Sequence, residues 1–157
     1  MDAMNSLRDH LNKLLTKAEA HVDVQSTLQN FPGNFHGKKP EGAPHTPWQL
    51  LEHMRLAQWD ILQFSLDAKH KSPEWPEGYW PKSEKPPNDK AWENSVRQFL
   101  ADLDSVCRLV RDSKIDLFAT IPHGDGQTYL REALLVADHN AYHLGQLVML
   151  KRMLEGK

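Results

Sequence analysis

Apolar residues recur at helical spacing along most of the chain, interrupted by stretches too rich in proline and glycine to continue a helix. Residues 4–30 carry the first such pattern, through Leu7, Leu11, Leu14 or Leu15, Ala18, Val22 and Leu28, with Asn5 or Ser6 as its cap. Residues 31–45 hold Pro32, Pro40 and Pro44 and support no helix. A connection this long is more than a helical hairpin needs, so it is expected to cross the bundle or fold over one end. A second helix is announced by Thr46-Pro47-Trp48-Gln49, which supplies an N-cap Thr, proline at the first helical position and the Gln of a capping box. Leu50, His53, Met54, Ala57, Ile61 and Phe64 then share one face, which places His53 inside an apolar stripe.

Residues 71–88 contain Pro73, Pro76, Pro81, Pro86 and Pro87 together with Trp75, Tyr79 and Trp80. Prolines exclude a helix here, and the aromatics favour a loop packed on the helices, roofing a pocket, over a disordered linker. A third helix is expected from Asn88 or Asp89 to about Ser113, burying Trp92, Val96, Phe99, Leu103, Val106 and Val110, with Glu93, Asp102 and Asp104 on a solvated face. Residues 114–127 turn at Pro122-His123-Gly124-Asp125-Gly126. No strand precedes this turn and no Gly-Lys-Ser/Thr follows it, so it is not a phosphate loop. Thr128 caps the last helix, 128–154, with Leu130, Leu134, Ala137, Ala141, Leu144 and Val148 on one line and Glu132, Leu135, His139, His143 and Gln146 on a second inward line. The pattern predicts an all-α fold, a four-helix bundle with long irregular loops, and one domain over residues 1–157.

Charge and cysteine usage narrow the partners. With 19 Lys plus Arg against 21 Asp plus Glu, spread rather than clustered, there is no electrostatic footprint for nucleic acid or anionic lipid. No apolar run reaches the roughly 20 residues of a membrane span. Cys107 lacks a second cysteine and a thiolate-activating neighbourhood and reads as buried filler. Met1-Asp2-Ala3-Met4 does not begin a signal peptide, so the expected compartment is the cytoplasm.

The chemistry lies in histidine. His139 and His143 stand four residues apart on one helical face, close enough for both rings to reach a single divalent metal. Nine His in 157 residues produce roughly 0.5 such pairs by chance, so the pair requires a third ligand. His53 can supply it from the second helix. His10, His21, His36 and His45 read as surface or loop residues. Three imidazoles with open positions describe an exchangeable or catalytic centre rather than a closed structural one. A metal there can acidify water for hydrolysis or deprotonate a thiol for transfer. Position 140 is Asn where a His-Glu-x-x-His protease carries its general base, which excludes that class. The candidate outer-shell carboxylates are Asp138, Glu132, Glu52 and Asp60; Asp138 faces away from His139, and Glu132, two turns before it, is preferred.

Trp48-Gln49-Leu50-Leu51-Glu52-His53, followed on the last helix by Asp138-His139-Asn140-Ala141-Tyr142-His143-Leu144-Gly145-Gln146, resembles the DinB-like superfamily over nearly the whole chain. The resemblance implies a bundle of non-sequential helix order, often dimeric, with a divalent metal held by three His, carried here to His53, His139 and His143. It implies a divalent transition metal cofactor, Zn, Ni or Fe. Relatives include thiol-dependent S-transferases and isomerases, proteins regarded as hydrolases, and members of no known activity. The expectation is a metal-dependent enzyme, a thiol S-transferase or hydrolase, acting on a small molecule such as a low-molecular-weight thiol in a pocket between the second and last helices. The alternatives are a non-enzymatic metal-binding or stress-related protein, and a structural bundle whose His form a core hydrogen-bond network.

Overall fold

The capping signals at residues 46 and 128 define two of the helices that a computed structural model shows; it describes residues 2–17 and 20–156. Among the described residues there are five α-helices, α1 (Ala3–Thr16), α2 (Val24–Gln29), α3 (Pro47–Leu66), α4 (Ala91–Arg111) and α5 (Tyr129–Glu155). Among the described residues there is no β-strand, only an isolated bridge between Thr120 and Thr128 that closes the turn before α5.

At the start of α3 the Thr46 hydroxyl accepts from the Gln49 backbone N–H at 3.2 Å while the Gln49 side chain accepts from the Thr46 N–H at 3.0 Å. Both donors of the capping box are thereby satisfied. Thr128 accepts from the Arg131 N–H at 3.1 Å to begin α5, and Gly156, at φ 72°, ends it in the left-handed conformation that glycine adopts without steric cost. On α4 the expected stripe is the observed one: Trp92, Val96, Phe99, Leu103, Val106 and Val110 are all buried. Cys107 is 1 % exposed, and burial pushes its thiol pKa up.

The first helical segment departs from expectation. A single helix over 4–30 is replaced by α1 and α2, because Lys17 is extended and Asp23 starts a new helix by accepting from the Ser26 N–H at 2.7 Å. Leu11, Leu15 and Leu28 still face the core, Val22 is exposed, and Ala18 lies outside the described residues. The face of α5 also differs: Leu134 is 45 % exposed and Ala141 is exposed, while Ala133, Val136, Ala137, Asn140, Leu144 and Leu147 form the buried line.

The four long helices are α1, α4, α3 and α5 in order around the bundle, since α3 packs chiefly on α4 and α5, and α1 on the same two. This order is non-sequential. Gln58 reaches the Phe99 carbonyl at 2.7 Å, and Ile61 and Leu62 share a small cavity with Val106, so α3 and α4 run parallel. A parallel pair needs a long return connection. The proline-rich segment supplies it by running back along α3: His70 meets Asp60, Tyr79 lies beside Asp60 and His53, and the Glu84 carbonyl accepts from the Thr46 hydroxyl at 2.7 Å. There it meets the 31–45 connection through the Lys39–Glu84 ion pair, 2.7 Å. The two long loops therefore lie together over the N-terminal end of α3.

Candidate metal centre

His53 stands two turns into α3, on the stripe that begins at Leu50, and is 5 % exposed. His139 and His143 project from the middle of α5, half-buried and 7 % exposed respectively. Antiparallel packing of α5 on α3, with Leu50 beside Leu150 and Ile61 beside Tyr129, brings the three rings to one place. One ring nitrogen from each lies within 4.8 Å of the others, and His53 Nε2 and His139 Nε2 are 3.1 Å apart. Two nitrogens bound tetrahedrally at zinc-like distances of about 2.0–2.1 Å sit roughly 3.3 Å apart, so this spacing suits one shared ion. Among the described residues these three form the one group of potential ligands, and it contains no Asp or Glu.

Neighbouring acceptors fix which nitrogen of each ring is free. His53 Nδ1 faces the Tyr79 carbonyl at 3.0 Å, and His143 Nδ1 faces Gln146 Oε1 at 2.7 Å. Each oxygen accepts only, so each Nδ1 carries the proton and each Nε2 presents its lone pair to the group. Burial lowers the pKa of His53 to about 4, against the Tyr79 carbonyl, which favours the charged form. Burial, reinforced by His143 and His53, lowers that of His139 to about 3, and burial lowers that of His143. All three rings are neutral at pH 7, as metal ligation requires.

Trp80 covers the group. Its ring lies on His53 at 3.9 Å and 3°, and His45 also stacks on it, at 4.1 Å. The expected roof at 71–88 thus rests, through Trp80, directly on a ligand candidate. A cavity of about 460 Å³ opens beside the group, between the 41–45 loop and the C-terminal half of α5. Tyr79 is held by its hydroxyl, which donates to Asp60 at 2.7 Å, and the other oxygen of Asp60 meets His70 Nε2 at 2.7 Å. Asp60 therefore acts on His53 at one remove, through the loop that carries the Tyr79 carbonyl.

Other expectations divide. Asp138 is exposed, as expected. Glu132 is buried but pairs with Arg131 at 2.6 Å beside Ser65 and Leu109, and the rings are oriented by a carbonyl and an amide rather than by a carboxylate. Asn140 points into the core and donates to Gln58 at 2.8 Å, so the position that would carry a protease base does not face the site. His21 is exposed and His36 stacks on Trp92 at 3.8 Å, both apart from the group. Sequence reading missed Tyr79 and Trp80 as individual contributors, along with Gln146 as an orienting residue; the Gln146 signal was its place three residues after His143.

No curated protein and no solved structure matches the chain. The family model described as DinB superfamily matches residues 2–147. With that match covering α1, α3, α4, most of α5 and both histidine segments, the chain belongs to the DinB superfamily.

Proposed function

We propose that His53, His139 and His143 hold a divalent transition metal, Zn, Ni or Fe, and that the protein is a metal-dependent enzyme of the thiol S-transferase or hydrolase type acting on a small molecule. The observation that carries this reading is the arrangement of the rings: three neutral imidazoles converge, and in two of them Nδ1 is committed to an oxygen so that Nε2 is left free. Such a metal supplies Lewis acidity that lowers the pKa of a water or thiol. Tyr79 and Gln146 hold the ring orientations, and Trp80 excludes water from one side of His53. Membership of the superfamily supports the metal-binding part of this reading. The remainder of the proposal, a cytoplasmic homodimer of one domain over 1–157, is carried forward from the sequence.

One observation favours a second reading, a non-enzymatic metal-binding or stress-related protein: the group contains no carboxylate to serve as general base. Metal analysis of protein purified without a His tag, followed by assay of low-molecular-weight thiols with electrophilic acceptors and of esters and amides, separates the two. The enzyme reading expects near-stoichiometric metal and metal-dependent turnover in one panel. Stoichiometric metal with no turnover in either panel leaves the binding protein, and no metal uptake at all overturns both.

A further inference from the structure

The line of α5 that carries His139 and His143 continues at helical spacing as Gln146, Leu150 and Met153. One helix face thus passes from imidazole to amide to apolar side chain within four turns. Its apolar end forms one wall of the cavity of about 460 Å³, which Leu50, Ala43 and Pro44 complete from α3 and the 41–45 loop. That volume is within the range of small-molecule sites.

The polar end of the cavity adjoins the histidine group through three lining residues. Gln146 accepts from His143 at 2.7 Å, the Tyr142 ring packs edge-on to His143 at 4.9 Å, and His45 stacks at 4.1 Å on the Trp80 that covers His53. From His143 to Met149 the helix rises roughly 9 Å, and to Met153 roughly 15 Å. A molecule with its polar head at the rings therefore has its remaining length beside methionine and leucine. Met149 and Met153, 63 % and 47 % exposed, lie on one face of α5 with Tyr142, 64 % exposed, so that all three line the cavity from one side, and the unbranched thioethers adapt to varied shapes. Glu41 is the one acidic or basic group of the lining besides His45, which disfavours an anionic tail.

We propose that this cavity binds an uncharged alkyl or aryl group of the molecule whose polar head meets the histidine group, so that the substrate is amphiphilic rather than uniformly polar. The proposal rests on the metal-centre reading for the head group and on the cavity alone for the tail.

Alkyl hydroxamic acids from acetyl to decanoyl, titrated calorimetrically into Zn²⁺-loaded protein, read both parts. Affinity is expected to rise about threefold to fourfold per added methylene until the cavity is filled. Met149→Asp and Met153→Asp, both at exposed positions, are expected to flatten that rise while Zn²⁺ affinity and helical content stay at the parent values. In metal-free protein, the neutral probe N-phenylnaphthylamine reads the cavity by itself and is expected to bind the parent and not the two variants. Failure to take up Zn²⁺ removes the metal reading and leaves the probe titration to decide the cavity. Zn²⁺ uptake with equal affinity for acetyl and decanoyl compounds overturns the cavity proposal and leaves the metal reading. Equal probe binding by parent and variants also overturns it. So does a parent that binds no probe and is a dimer by light scattering while the variants are monomers, since the face is then an interface between copies.

Discussion

Two of the three rings present a lone pair because of one oxygen each, and those oxygens are the most specific lever on the site. Gln146 touches His143 through Oε1 at 2.7 Å. Gln146→Leu keeps the bulk and removes the acceptor, freeing the ring to change tautomer. Loss of an outer-shell partner costs metal affinity about tenfold to a hundredfold, and competition titration against a chelator is expected to show a drop of that size with unchanged helical content. His53→Ala and His143→Ala are expected to abolish tight binding in the same assay; full affinity in either would remove that residue from the ligand set. The acceptor for His53 is the Tyr79 carbonyl, whose position depends on the Tyr79 hydroxyl and Asp60. Burial, together with the Asp60 hydrogen bond, raises the Tyr79 pKa to about 12 from the ordinary 10.0. The unfolded chain therefore loses this proton first as pH rises. The contribution is fully present below pH 10 and is lost between about 10 and 12, up to roughly 2–3 kcal/mol at 1.36 kcal/mol per unit. Urea melts across that window are expected to show a steeper fall in stability for the parent than for Tyr79→Phe; parallel curves would mean that the hydroxyl does not sense Asp60. The three ring positions were legible in the sequence because helical spacing and an apolar stripe place them. Asp60 was in view as an outer-shell carboxylate, but its route to His53 was not, since a backbone acceptor leaves no residue-type signal and Asp60 is nineteen residues from its partner Tyr79.

Helix α3 holds its site residue near a well-specified end. Thr46 is fully buried, and its hydroxyl both accepts from Gln49 and donates to the Glu84 carbonyl, joining the helix start to the returning loop. Thr46→Ala removes the cap, worth about 1 kcal/mol and up to 2, and also removes the hydrogen bond to the Glu84 carbonyl, worth about 0.5–1.5 kcal/mol. Thermal denaturation is expected to show a loss of roughly 1–3 kcal/mol; Thr46→Ser, which keeps the hydroxyl, is expected to recover most of it. Local signals of this kind explain which elements could be read in advance. α3 and α4 have a capping box or a clean apolar stripe, and both were legible. The break between α1 and α2 depends on an Asp23 cap that competes with continuing helical periodicity, and spacing alone does not decide that competition. α5 is apolar on more than one side, so its periodicity fixed the helix and its two His but not which apolar line, Leu134 or Val136, faces inward. The 71–88 loop was read as packed from its aromatics; that it returns along α3 follows only from the parallel pairing with α4.

At the scale of the molecule, the histidine group sits on a frame that has its own supports. Asn140 donates to Gln58, and Gln58 donates to the Phe99 carbonyl, so one buried chain of amides joins α5, α3 and α4 one residue from His139. The buried Arg8 guanidinium donates to the carbonyls of Val110 and Ile115, tying α1 to the end of α4. The buried cluster runs from Leu11 to Leu150 through all five helices without using a ligand candidate. None of these contacts needs an ion, which distinguishes the arrangement from a small zinc domain whose folding energy is its metal-binding energy. Metal removal should therefore lower stability without unfolding the bundle. A ligand that binds only the folded state adds about 2.7 kcal/mol at a hundred times its Kd, and for a chain of this size that shifts Tm by roughly 5–10 °C. Chelator-treated protein is expected to keep its far-ultraviolet helical signal at 25 °C and to melt earlier by that margin, with the shift growing as free metal is restored. Loss of the helical signal on chelation would mean that the three rings are a structural staple. An unchanged Tm at saturating metal would mean that the rings do not bind it in the folded state.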